Sequence, residues 1–209
     1  MHTKQTIAVI GATGNMGSAI SRNLSKGNYR LLLKANDQKK LQRLIKDIKS
    51  SYSAADVEAM ECPRDASWEA DIIIAAVPYA AEREVAEKIR EVANQKVVIS
   101  IANPLNEAYT ALVTSSDTSA AEELQKLLPH SKVVKAFNTT FASDFSTPLI
   151  DGKLTDAFIA GNDGEAVQTV SELVSTAGFN PIVAGGLSAS RELENMQLRR
   201  IQERMSNKQ

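Results

Sequence analysis

The chain has one cysteine, Cys62, in 209 residues. That excludes an intrachain disulfide and any metal site built from several thiolates. Cys62 then reads as a small packing residue rather than a nucleophile. Histidine is almost as scarce. His2 sits near the amino terminus and His130 in a Pro-His-Ser turn, neither with a second ligand at metal spacing, so no metal is expected. No apolar run approaches the length of a membrane span, and the first, Ile7-Ala8-Val9-Ile10, is too short for a signal peptide. An excess of charge is missing too: 24 Lys and Arg stand against 25 Asp and Glu. The basic residues are dispersed, with Lys39-Lys40 and Arg199-Arg200 the tightest groups. Nothing therefore points to nucleic acid or an anionic membrane as partner. Repeats, low-complexity segments and linkers are absent. The expectation is one domain over residues 1–209, in a reducing cytoplasm.

What is present is an alternation of short apolar runs with longer amphipathic stretches, the rhythm of βαβ units. Strands are expected at Ile7–Ile10, Leu31–Leu33, Val57–Met60, Asp71–Val77, Val97–Ile101, Val133–Ala136, Ala157–Ala160 and Pro181–Ala184. Between them fall helical stretches: Met16–Leu24, then the stripe Leu41, Leu44, Ile45 and Ile48, then Val85, Ala86, Ile89 and Val92. Ala120–Leu128 and Ala166–Val174 complete that series. Leu187–Met205 is highly charged but carries Leu193, Met196, Leu198 and Ile201, and reads as a closing helix within 188–209. The fold class is α/β: a doubly wound, mostly parallel sheet of the Rossmann, NAD(P)-binding type.

The first strand runs directly into Gly11-x-x-Gly14-x-x-Gly17, and a helix starts inside that motif. A helix amino terminus at the carboxyl edge of a parallel sheet offers free N–H groups and a partial positive charge to a pyrophosphate. Gly11 suits the tight turn, Gly14 clears space for the phosphate, and Gly17 lets helix and strand pack closely. Thr13 and Asn15 add polar groups that touch phosphate or brace the turn. The bland alternative is a strand-to-helix turn with no ligand. The Lys and Ser/Thr of a mononucleotide P-loop are missing, which disfavours ATP.

The second strand ends Leu33-Lys34-Ala35-Asn36-Asp37. An NAD enzyme places an acid there for the ribose hydroxyls, but Asp37 falls past the strand tip, and Asn36 or Asp37 serves equally as a cap for the next helix. Lys34, Lys39 and Lys40 put positive charge in reach of a 2′-phosphate, which favours NADP and leaves NAD possible.

Three further strand ends read Val77-Pro78-Tyr79, Ala102-Asn103-Pro104 and Lys135-Ala136-Phe137-Asn138-Thr139-Thr140. With the glycine turn and the late Gly185-Gly186-Leu187-Ser188-Ala189-Ser190-Arg191-Glu192-Leu193-Glu194-Asn195, they make the chain resemble the coenzyme F420-dependent NADP oxidoreductase family. The cytosolic reductase domains of the STEAP ferric reductases belong to the same group. The resemblance covers nearly the whole chain. It implies that Thr13, Gly14, Asn15 and Met16 hold the pyrophosphate. It also implies that Val77, Pro78 and Asn103 lie along the ribose and nicotinamide, and that Ala136 to Asn138 face the nicotinamide. It implies a homodimer, with the last helix serving the interface. Two departures stand out. Family members that use F420 tend to have Ser-Arg where this chain has Ala35-Asn36, and only Lys40 matches a basic position further along. Phe137 to Phe141 also differ from the F420 reductase.

Hydride transfer between two bound rings needs no protein acid or base, and no catalytic set is evident here. Tyr-x-x-x-Lys, the signature of short-chain dehydrogenases, is missing. The expectation is hydride transfer between NADP(H) and a small-molecule acceptor, flavin-like or the deazaflavin F420. The alternatives are an NADP(H)-binding redox sensor without turnover, and a reductase subunit serving a separate acceptor protein. For Arg191 and Glu194 the expectation is a helix cap by Ser188 or Ser190 with an adjacent ion pair.

Overall fold

A computed structural model describes residues 4–146, 149–150 and 152–207; His2 lies outside them. Eight strands form one sheet: β1 (Gln5–Ile10), β2 (Tyr29–Lys34), β3 (Asp56–Met60), β4 (Ile72–Ala75), β5 (Val97–Ser100), β6 (Lys132–Lys135), β9 (Asp156–Gly161) and β10 (Asn180–Gly185). Their order is β3-β2-β1-β4-β5-β6-β9-β10. Every neighbouring pair is parallel except β6 with β9. The first six strands have the order of a dinucleotide-binding sheet, and β9 and β10 extend it. Strands β7 (Leu149–Ile150) and β8 (Lys153–Leu154) form a separate small hairpin.

The central strands are largely apolar runs because both faces of the sheet are covered there, whereas the edge strands β3 and β10 carry exposed residues. Ile7, Val9, Leu31, Leu33, Ile72, Ile74, Ile99 and Val134 point to one face, buried under α1 (Asn15–Leu24), α2 (Gln38–Ser51) and α6 (Gly164–Thr176). Ala8, Ile10, Leu32, Ile73, Val98 and Val133 point to the other. Ala66 of α3 (Pro63–Glu69), Ala86 and Ile89 of α4 (Tyr79–Ile89), and Ala121 and Leu124 of α5 (Ala120–Leu127) cover that second face. Alternation at period two thus assigns each strand residue to one of two cores.

The chain closes with α7 (Ser190–Ser206), which follows a short 3-10 turn at Leu187–Ala189. Strand β4 stops at Ala75, two residues short of the expected Val77. The Ala76 amide bonds Ile10 O at 2.8 Å, and the chain then leaves the sheet. The expected cap on α7 is corrected. Neither Ser188 nor Ser190 caps the helix, and the Ser190 hydroxyl is buried without a partner. Among the described residues no helix is long and apolar enough to cross a membrane.

Candidate active site

The glycine turn occupies the carboxyl end of β1. Gly11 has φ +90°, and a Cβ there would lie 2.2 Å from Ala76 O. Only glycine fits, because the backbone after β4 crosses directly over the turn. A Cβ on Gly17 would come 2.3 Å from Gly11 O, so its absence sets how closely α1 packs on the turn. Gly14 is the N-cap of α1, no side chain caps that helix, and its first turn holds no acid. The amides of Thr13, Asn15 and Met16 find no hydrogen-bond partner among the described residues. Uncapped amides at the positive end of a helix dipole are suited to a phosphate anion.

Two clefts meet at this turn. The first, of about 800 Å³, is bordered by Gly11, Thr13, Gly14, Asn36, Lys40, Val77 and Pro78 among the residues singled out from the sequence. The second, of about 660 Å³, is bordered by Asn15, Met16 and Asn103, and shares Gly14, Val77 and Pro78 with the first. Ala136 and Asn138 line neither cleft. Ala136 is fully buried, and Asn138 lies behind Asn103 with 2% exposure. Asn138 Nδ2 donates to Asn103 Oδ1 at 3.0 Å, and Asn103 Nδ2 returns a 3.0 Å bond to Asn138 O. Phe137, between them, adopts φ +59° and is fully buried. This left-handed residue strains the backbone by a cost of roughly 1–3 kcal/mol. Bonds from the Thr140 amide and hydroxyl to Phe137 O close the turn.

The far wall of the first cleft holds residues that sequence reasoning passed over. Helix α3 brings Cys62, Pro63 and Arg64 there, and α4 brings Glu84 and Lys88. Cys62 is a half-buried wall residue rather than a core packing one. Asp37 caps α2, accepting the Lys40 amide at 3.0 Å. Of the two sequence readings of Asp37, the cap is the one the structure contains. Lys34, Lys40, Arg64 and Lys88 face Asp37, Glu61 and Glu84 around this end.

Behind the second cleft lies a buried polar layer. Lys135 and Glu194 are both fully buried, with Nζ 2.6 Å from Glu194 Oε1 and 2.6 Å from Ala102 O. Glu194 therefore pairs across the fold rather than with Arg191. Glu82, also buried, accepts the Ser100 hydroxyl at 2.9 Å. Desolvation pushes its carboxyl up to about 7, against the opposing pull of Lys135 and Ser100. Tyr79, on the wall of the second cleft, donates to Glu123 at 2.5 Å. Burial and that bond push its phenol up to about 12, so it stays a neutral donor. The signal that could have exposed this layer is a lysine inside the apolar run Val133-Val134-Lys135-Ala136-Phe137.

The strand order, the glycine turn and the uncapped helix define a dinucleotide-binding fold of the Rossmann class. A family model described as NADP oxidoreductase, coenzyme F420-dependent, matches residues 6–104. The F420-dependent NADP reductase of Methanocaldococcus jannaschii is 31% identical over 200 residues, covering 90% of this chain and 87% of that protein. Human metalloreductase STEAP2 is 27% identical over 94% of this chain, which spans 36% of that longer protein. A crystal structure from Arthrobacter sp. FB24, assigned to the F420-dependent NADP reductases, superposes with a TM-score of 0.80 at 24% identity. It covers 96% of this chain and 93% of that one, a likeness of fold. The chain belongs to the coenzyme F420-dependent NADP oxidoreductase family and is an NADP-dependent oxidoreductase.

Proposed function

We propose that the chain transfers hydride between NADP(H), with its adenosine in the first cleft and its nicotinamide reaching the second, and a flavin-like or deazaflavin ring stacked on the nicotinamide in the second. The observation that carries this is the wall the clefts share: Gly14, Ala76, Val77 and Pro78 border both. A dinucleotide whose pyrophosphate rests on Thr13, Gly14, Asn15 and Met16 enters one cleft with its adenosine and the other with its nicotinamide. When bound, the nicotinamide supplies the hydride. The residues around it bind, orient and exclude water.

NADP is preferred over NAD because Asp37 is committed to its helix cap, while Lys34, Lys40 and Arg64 stand at the adenosine end. On the acceptor side, Met16, Pro78, Tyr79, Ile101, Leu105 and Val113 supply mainly apolar contact, and Glu107 is the one charged lining residue. Such a cleft suits a planar uncharged ring, with any anionic tail directed outward. F420 enters as a candidate because the M. jannaschii relative is an F420-dependent NADP reductase.

Stopped-flow oxidation of NADPH with F420, FMN and riboflavin tests the proposal. Acceleration by one of them is the expected result. Tight NADPH binding with no acceleration by any would overturn it.

A further inference from the structure

Between β5 and α5 the chain runs through residues 101–119 with no regular structure beyond one bridge, Leu105 to Leu112. Long irregular connections inside a compact domain are usually functional. This one supplies Ile101, Asn103, Leu105, Glu107, Tyr109 and Val113 to the second cleft. It packs little apolar area of its own, so something else must set its shape.

Polar tethers from α7 do so. Arg191 Nη1 donates to Thr114 Oγ1 at 2.7 Å, Ser115 O at 2.8 Å and Thr118 O at 3.1 Å. Gln202 Nε2 donates to Tyr109 O at 2.9 Å. Glu194 accepts the Ala120 amide at 3.0 Å at the loop's far end. Through Lys135 it also reaches Ala102 O at the near end. Positions 191, 194 and 202 share one helix face at 3.6 residues per turn. One face of one helix thus holds the loop at both ends and at two points between.

We propose that Lys135 and Glu194 are positioning residues for the electron acceptor, fixing the Ala102–Asn103 backbone that borders its cleft. The proposal rests on the reading of the second cleft as the acceptor site. Stability alone does not account for the pair. Two wholly buried charges are costly to desolvate, and well-packed apolar replacements are often as stable or more so. What apolar replacements lack are the Nζ–H bond to Ala102 O and the acceptor that Glu194 offers to the Ala120 amide. The Nζ–H bond, from the last residue of β6, and the Asn103–Asn138 pair, from the turn after it, pin consecutive residues.

The test compares Lys135→Met, Glu194→Gln and the double variant Lys135→Met/Glu194→Leu with the wild-type protein. Lys135→Met leaves a buried unpaired carboxylate and is expected to melt lower. The double variant, which removes the unpaired charge but leaves the Ala120 amide and Ala102 O without these partners, is expected to melt above Lys135→Met while still showing at least a tenfold loss of kcat/KM for the acceptor. NADPH affinity is expected to fall less than the acceptor's kcat/KM, within a few-fold, since the adenosine and pyrophosphate lie in the untouched first cleft and only the nicotinamide reaches the second. Amide hydrogen exchange at 101–106 is expected to speed tenfold or more, with 10–17 unchanged. A folded double variant with wild-type kcat, KM and exchange would overturn the proposal, making the pair purely structural. If Lys135→Met does not fold, Glu194→Gln and the double variant decide. Absence of wild-type turnover with F420 or FMN would instead count against the acceptor reading, and the exchange comparison still decides whether the pair sets the loop.

Discussion

The two clefts are built by different physics. The first is set by backbone: a left-handed Gly11 under Ala76 O, a Gly17 that lets α1 approach, and amides left open at the start of a helix. The second is set by side chains that converge from distant parts of the chain, Lys135, Asn138, Arg191, Glu194 and Gln202, on one irregular loop. A backbone-built site tolerates almost no change at a few positions. A tethered one can be loosened by degrees.

The contrast is broken most sharply at Gly11. Gly11→Ala places a Cβ 2.2 Å from a backbone oxygen at φ +90°. The expected destabilisation exceeds about 3 kcal/mol, with NADPH binding lost in whatever protein remains folded. Melting temperature and NADPH titration check both. A variant that melts within a degree or two of wild type would show that the backbone around Ala76 yields freely.

The same contrast explains what could be read from the sequence. The central strands were visible because they are largely apolar runs buried on both sides, and Gly-x-x-Gly-x-x-Gly was legible because its placement after β1 carries the chemistry. Helix α3 escaped notice because only Ala66 and Ser67 of its seven residues are buried, leaving no hydrophobic stripe. The β7–β8 hairpin has two-residue strands, with Leu149 and Leu154 exposed. In the second cleft, Lys135 and Glu194 lie far apart in the chain, and charged residues are by default solvated. Only the fold shows them touching. Ala136 and Asn138 belong to a motif that the resemblance placed against the nicotinamide. The structure puts them one layer behind, where Asn138 holds Asn103.

Glu82 sharpens the comparison from the acceptor side. Its folded carboxyl, at about 7, lies above the unfolded value of 4.5. The native state therefore holds the proton to higher pH than the unfolded state. This contribution to stability is full below about pH 4.5, falls as pH rises towards 7, and is constant above that. At about 1.4 kcal/mol per pH unit, the change is on the order of 3 kcal/mol. Glu82→Gln removes the titration, so its melting temperature relative to wild type should rise by several degrees between pH 5 and pH 8. A constant difference across that range would mean that Glu82 ionises normally.

At the adenosine end the expected effects are smaller, because the groups are exposed. Lys40 is 69% exposed and only 3.8 Å from Asp37. Lys40→Ala should weaken NADPH binding several-fold, about 1 kcal/mol, and leave NADH binding nearly unchanged. Equal weakening of both cofactors would place Lys40 away from the 2′-phosphate and move attention to Arg64.

The gentlest probe uses the single cysteine. Cys62 borders the first cleft and not the second, and it is half-buried, so a small alkylating reagent should reach it slowly. A dinucleotide lying against Pro63 and Arg64 would cover it. With NADPH at ten times its dissociation constant, about one molecule in eleven is free, and the alkylation rate should fall towards tenfold. FMN or F420 alone, held in the second cleft, should leave the rate unchanged. Mass spectrometry of the intact chain reads both from the same time course. Protection by the acceptor without NADPH would mean that the two ligands do not divide between the clefts as the shared wall implies.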